Sequence, residues 1–256
     1  MISTENLLVY AHSCSFGAAN QGHKIYPEVV AETLSAQLIN RGQGGSCNRR
    51  IIRTTLRDLV ELKNQHKNIL VLLGLTFIAR TELWQPWIEP IDNDGHFSSI
   101  MVDYKKIDWS INGLLDTIVP DISKLADPKL QEYYKHWLDH YYQESAMTDL
   151  LIDLIMFTGW ANNNNINYII FSSVDVLPGD DKVGYNSPFI QSLKYEIEND
   201  KCIINPWNFS FGSYALNSGL APKDYHLYKQ HGHPGQEAHV LFANFLLRHL
   251  KNNQNL

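Results

Sequence analysis

The run Ile69-Leu70-Val71-Leu72-Leu73-Gly74 constrains this chain more than any other feature. A short, wholly apolar run closed by a glycine fits a strand buried on both faces, because an exposed face would demand polar residues at alternate positions. Strands of this kind belong to parallel sheets covered by helices on both sides. A second such run, Leu7-Leu8-Val9-Tyr10-Ala11, ends abruptly in His12-Ser13-Cys14-Ser15-Phe16-Gly17. Small and polar residues at that point lie at the carboxyl edge of a sheet, where open α/β folds bind ligands. A serine there can be a nucleophile held on a rigid element, and Ser13 is the candidate. The plainer alternative is a serine that caps a helix or satisfies a turn.

Around these two runs the chain alternates strand-like and helix-like segments. Residues 6–11 read as a strand and residues 25–38 as a helix, with Ile25, Val29, Val30, Thr33, Leu34 and Leu38 on one face. A glycine-rich turn, 39–48, opens a second helix over about 48–65 through Ile51, Ile52, Leu56, Leu59, Val60 and Leu62. Further helices are expected at 128–143, 146–160, 188–198 and 235–251, and strands at 168–171 and 202–204. The aromatic stretch holding Trp207, Phe209, Phe211 and Tyr214 reads as irregular. So does 84–111, with Pro86, Pro90, Gly95, Trp84, Trp87 and Trp109, and long irregular segments in compact domains tend to be lids or binding loops. The aromatic stripe Tyr133, Tyr134, Trp137 and Tyr141 reads first as a packing face and second as a platform for a sugar or base. With no internal repeat and no linker, 256 residues are expected to form a single domain carrying an insertion at about 84–145.

Charge excludes one broad class. A net charge of −6 without a basic run argues against a nucleic-acid binder. No apolar stretch has membrane-spanning length, and the first residues lack the order of a secretory signal, so a cytoplasmic protein without a membrane partner is expected. Three cysteines, Cys14, Cys47 and Cys202, are too few and scattered for a disulfide framework.

Four blocks taken together resemble the SGNH (GDSL-type) hydrolases. The strand end Ala11-His12-Ser13-Cys14-Ser15-Phe16-Gly17 resembles the family's Gly-Asp-Ser nucleophile block, in the variant found in phage-associated members. Asn40 to Asn48, with Gly45, resembles the second block, whose glycine amide forms part of the oxyanion hole. Gly74-Leu75-Thr76-Phe77 falls where the family carries Gly-x-Asn-Asp, and His233-Pro234 before a long helix resembles the last block. The resemblance implies a three-layer α/β/α flavodoxin-like fold with a central parallel sheet. It also implies Ser13 as nucleophile, His233 as general base, and an oxyanion hole of the Ser13 and Gly45 amides with Thr76. The departures are Ala11-His12 for Gly-Asp, Thr76 for asparagine, and Gln230 where an acid would orient the histidine.

These residue types suit acyl transfer. A serine hydroxyl attacks only when a base takes its proton, and the oxyanion that forms needs preorganised donors. A threonine hydroxyl can donate one hydrogen bond from a shorter reach than asparagine. A main-chain carbonyl can replace the missing acid less strongly, lowering the rate without excluding the reaction. Arg80 can anchor an anionic or carbonyl substrate or form a surface pair with Glu82; with Trp84 it is assigned to substrate binding. The spacing of His231, His233 and His239 does not suit a metal site, His239 reads as a packed or capping residue, and no metal or other cofactor is expected. Cys14 and Cys47 read as packing residues. The expected function is an esterase acting on a small-molecule or glycan ester, with an acylated carbohydrate as one class. The alternative is a weakened member of the same fold that binds a ligand or partner.

Overall fold

In the computed structural model, the residues described are 6–13, 24–42, 46–76, 78, 82–84, 97–99, 143–173, 187–218 and 234–253, with helical positions at 128, 129, 132 and 136. Both apolar runs are strands, β1 (Leu7–Ser13) and β3 (Asn68–Leu75), and apart from half-buried Asn68 every residue in them is buried. They pair in parallel with Tyr10 beside Val71 and Ser13 beside Gly74. β2 (Gln37–Asn40) lies on the outer side of β1, and β6 (Asn167–Ser172) on the outer side of β3, both parallel. The order is β2-β1-β3-β6. Single parallel bridges at Ile203 and Ser210 extend the sheet past β6. The chain leaves β1 for one side and returns to its other side, so the connections diverge between β1 and β3. In open α/β sheets, ligands bind at the carboxyl ends of the strands beside such a switch point.

Alternation along the strands divides the core in two. Leu8, Tyr10, Val71, Leu73 and Ile170 point to a cluster with Ile51 and Leu59 of α2 (Asn48–Leu62), Leu151 and Phe157 of α3 (Gln143–Asn163), and Ile190 and Ile197 of α4 (Pro188–Asn199). Leu7, Val9, Ala11, Leu70, Leu72, Ile169 and Phe171 point the other way. There they meet Tyr26 and Val30 of α1 (Tyr26–Thr33), Phe211 and Ala215 of α5 (Phe211–Asn217), and Phe242 and Leu246 of α6 (Gln236–Asn253). The result is the expected three-layer α/β/α arrangement around a parallel sheet. Among the described residues no helix is long and apolar enough to cross a membrane.

Four local readings change. The helix expected over 25–38 ends at Thr33, where Ser35 turns with φ of 52° and the chain enters edge strand β2. Leu38 fits a helical face equally well; only pairing with β1 makes it strand. The segment read as irregular from residue 84 contributes a short antiparallel pair, β4 (Glu82–Trp84) with β5 (Phe97–Ser99), Trp84 opposite Phe97. The strand expected at 202–204 reduces to the bridge at Ile203. In the aromatic stretch, α5 starts at Ser210, whose Oγ accepts from Ser213 N at 3.0 Å while Ser213 Oγ accepts from Ser210 N at 3.0 Å, a reciprocal cap. The aromatic stripe of 133–141 lies outside the described residues.

Candidate active site

Ser13 is the last residue of β1, Gly74 is its register partner on β3, and Ser173 follows the end of β6. Side chains alternate along a strand, so Ser13, like Val9 and Ala11, belongs to the face covered by α1, α5 and α6. Ser173 continues the parity of Ile169 and Phe171 toward that same face, and its N–H donates to Leu75 O at 2.8 Å, carrying the ladder one step past the strand. Strands β1 and β6 flank β3 and are therefore separated by about 10 Å of sheet. Even so, the Ser13 and Ser173 hydroxyls meet at 2.8 Å, buried. They do so across Gly74. A Cβ placed there would collide with Ser173 Oγ and lie 2.8 Å from Ser13 Oγ and 2.9 Å from Ser13 Cβ. The glycine that closes the apolar run is therefore needed for a close approach, independent of any unusual backbone angle.

Thr76 stands just past β3 and is held by Asn48, the first residue of α2. Thr76 N donates to Asn48 Oδ1 at 2.7 Å, and Asn48 Nδ2 donates to Thr76 O at 2.9 Å. The side-chain amide thus pairs with a peptide unit as a neighbouring strand would. This clamp does not engage the Thr76 hydroxyl: Oγ1 is buried and has no hydrogen-bond partner among the described residues. Native folds rarely leave such a group unsatisfied, and functional sites are among the places where they do. Asn48 received no role from the sequence, since nothing in a linear reading relates it to a residue 28 positions away.

The turn before α2 is fastened on both sides. Cys47 caps α2 by accepting from Arg50 N at 3.4 Å, which fits a packing role, and Arg50 Nη1 donates to Ser46 Oγ at 2.9 Å. On the other side, Asp58 Oδ2 accepts from Arg41 Nε at 2.8 Å and from Tyr10 Oη at 3.0 Å, while Oδ1 accepts from Arg57 Nη2 at 2.8 Å. Burial alone would raise the Asp58 carboxyl, but hydrogen bonds from Arg57 and Tyr10 and the charges of Arg41 and Arg57 outweigh it and hold its pKa below the ordinary value. The Tyr10 phenol is pushed up, by burial first and by the Asp58 carboxylate second.

His239, on α6, is a packing residue as expected. It is buried, accepts from Tyr26 N through Nδ1 at 3.3 Å, and stacks on the Tyr26 ring at 5.7 Å. Tyr26 opens α1, and its ring meets that of Phe171 near the carboxyl end of β6 at 5.6 Å, so the start of α6 is at the carboxyl edge. Its far end, where His249 Nε2 meets Lys201 O at 2.9 Å, lies near the base of the outermost bridge at Ile203. The chain therefore enters α6 from Pro234 on Ser13's face and at Ser13's edge of the sheet.

Of the residues assigned from sequence, the structure brings Ser13 and Thr76 to the ends of adjacent strands. Gly45, Arg80 and His233 lie outside the described residues, and of Trp84 only its strand position is described. Among the described residues no group of three or more histidine, cysteine or acidic side chains could hold a metal ion.

No family model matches the chain, and no curated protein matches it. Solved structures are similar to it at low identity. A psychrotrophic esterase from Pseudoalteromonas sp. is 13% identical with a TM-score of 0.48, aligned over 98% of this chain and 100% of the esterase. A catalytic mutant of an acetylxylan esterase from Geobacillus stearothermophilus is 11% identical with a TM-score of 0.46, over 96% of this chain and 94% of the other. A GDSL-like lipase from Bacteroides thetaiotaomicron is 12% identical with a TM-score of 0.43, over 97% and 89%.

Proposed function

We propose that this chain is an SGNH-type ester hydrolase with Ser13 as nucleophile and His233 as general base. The observation that carries the reading is the placement of Ser13. It ends the central strand β1 at the switch point, with Thr76's buried hydroxyl, unpartnered among the described residues, just past the end of the adjoining strand. The direction of α6 supports His233, because Pro234, its neighbour in the chain, enters α6 at the same edge and face as Ser13. In the reaction, Ser13 Oγ bonds to the ester carbonyl carbon as its proton passes to His233. The oxyanion is held by the Ser13 and Gly45 amides and the Thr76 hydroxyl. Collapse breaks the bond to the alcohol, which takes the proton from His233. Water then adds to the acyl-enzyme, giving its proton to His233, and the bond to Ser13 Oγ breaks as that proton returns. Arg80 and Trp84 are proposed to bound the substrate, with an acylated carbohydrate as the class.

A fluorophosphonate probe tests this directly. Ser13 Oγ would displace fluoride at phosphorus, and digestion with mass spectrometry locates the adduct. Labelling at Ser13 is expected, absent in Ser13→Ala, strongly reduced in His233→Ala and largely retained in His239→Ala. The rate should rise as a histidine loses its proton near neutral pH. A second reading, a ligand- or partner-binding module, is favoured by one fact: Ser13 has no exposed surface. Folded protein that takes no label at any pH would establish that reading, and label on Cys14 or Cys47 would name a different nucleophile.

A further inference from the structure

We propose that Ser173 is a second catalytic serine, its hydroxyl donating a hydrogen bond to Ser13 Oγ; this rests on Ser13 being the nucleophile. The argument starts from proton accounting. Ser173 is 4% exposed, and the acceptor its hydroxyl finds among the described residues is Ser13 Oγ at 2.8 Å. A buried hydroxyl places its proton on an available acceptor rather than leave it unsatisfied. Ser173 is therefore the donor and Ser13 Oγ the acceptor, which leaves Ser13's own proton for its base.

The direction of that bond matters for acyl transfer. Were Ser13 the donor, its proton would be committed to Ser173 and turned from the base. As acceptor, Ser13 Oγ keeps a fixed rotamer and meets a donor dipole wherever negative charge grows on it. Charge grows twice: as Ser13 loses its proton during attack, and as Oγ departs from the acyl-enzyme. Ser173 transfers no proton in either step; it stabilises the charge and keeps its own O–H bond. Gly74 makes this possible, since any side chain there would drive the hydroxyls apart.

The test compares fluorophosphonate labelling of wild type, Ser173→Ala and Ser173→Cys as a function of probe concentration and pH. In Ser173→Ala the maximal labelling rate should fall about tenfold, the typical worth of one buried hydrogen bond. The half-saturating probe concentration should change less than about twofold, and the thermal midpoint should stay within about 5 °C. Ser173→Cys fills the space with a weak donor and should resemble Ser173→Ala in rate. Wild-type labelling at Ser13 with an unchanged rate in both variants would overturn the role of Ser173 while leaving the nucleophile in place. A wild-type rate in Ser173→Cys alone would overturn it too, because lost packing would then explain the alanine variant. Absence of label in wild type would instead remove the nucleophile assignment, and this proposal with it.

Discussion

The buried Thr76 hydroxyl has no partner among the described residues, so replacing it with a methyl removes an unsatisfied group and leaves the shape unchanged. Thr76→Val should hold or raise stability, by up to about 1 kcal/mol in denaturant melts. If Thr76 serves the oxyanion, the same variant should lose about two orders of magnitude in labelling rate, as donors of this kind commonly do. Asn48→Ala tests the support under it. Its loss strands Thr76 N and O in a buried site, costing about 2–4 kcal/mol in the same melts, and labelling should fall with it. Equal stability in Asn48→Ala would mean that the clamp contributes nothing to the fold.

Between elements, Asp58 ties α2 to β1 through Tyr10 and to the turn after β2 through Arg41. Its carboxylate is favoured in the fold relative to the unfolded chain. The stabilisation is therefore complete above the ordinary carboxylate value and is lost as pH falls below it, through the lowered value of the folded state. Asp58→Asn should cost about 1–3 kcal/mol at pH 7, and the gap from wild type should narrow on acidification toward about pH 3, read by denaturant midpoints at each pH. A gap that widens on acidification would contradict the sign. His249 works in the same sense: burial lowers its pKa, against the pull of Lys201 O, so protonation below neutral weakens the end of α6.

Across the whole molecule, one face of the sheet is sealed by an aromatic cluster that also positions the carboxyl edge. Phe242 is fully buried and touches the rings of Tyr26 at 5.1 Å, Phe171 at 5.0 Å and Phe211 at 4.4 Å, joining α6, α1, β6 and α5. Phe242→Ala should cost about 3–5 kcal/mol, by lost burial and the cavity left behind. Calorimetry should show a clearly lower midpoint, since such a loss is a large share of a typical domain's stability. A midpoint unchanged within error would mean that the cluster repacks without it.

The strands and major helices were legible because their patterns are local. A wholly apolar run admits few structures besides a doubly buried strand, and the stripe Ile51, Ile52, Leu59 can form a buried face only as a helix. The place of Ser13 at the end of β1 was legible too, because the run before it stops at polar residues. Tertiary structure alone decided the rest. Leu38 is compatible with helix and strand, and pairing with β1 makes it strand. Ser173 and Asn48 are unremarkable where they stand in the chain. One meets Ser13 from 160 residues away and the other meets Thr76 from 28, because parallel strands bring distant segments to a common edge. Local sequence sets which faces must be buried; which side chains then meet at the strand ends depends on sheet order and register, fixed only when the chain has closed on itself.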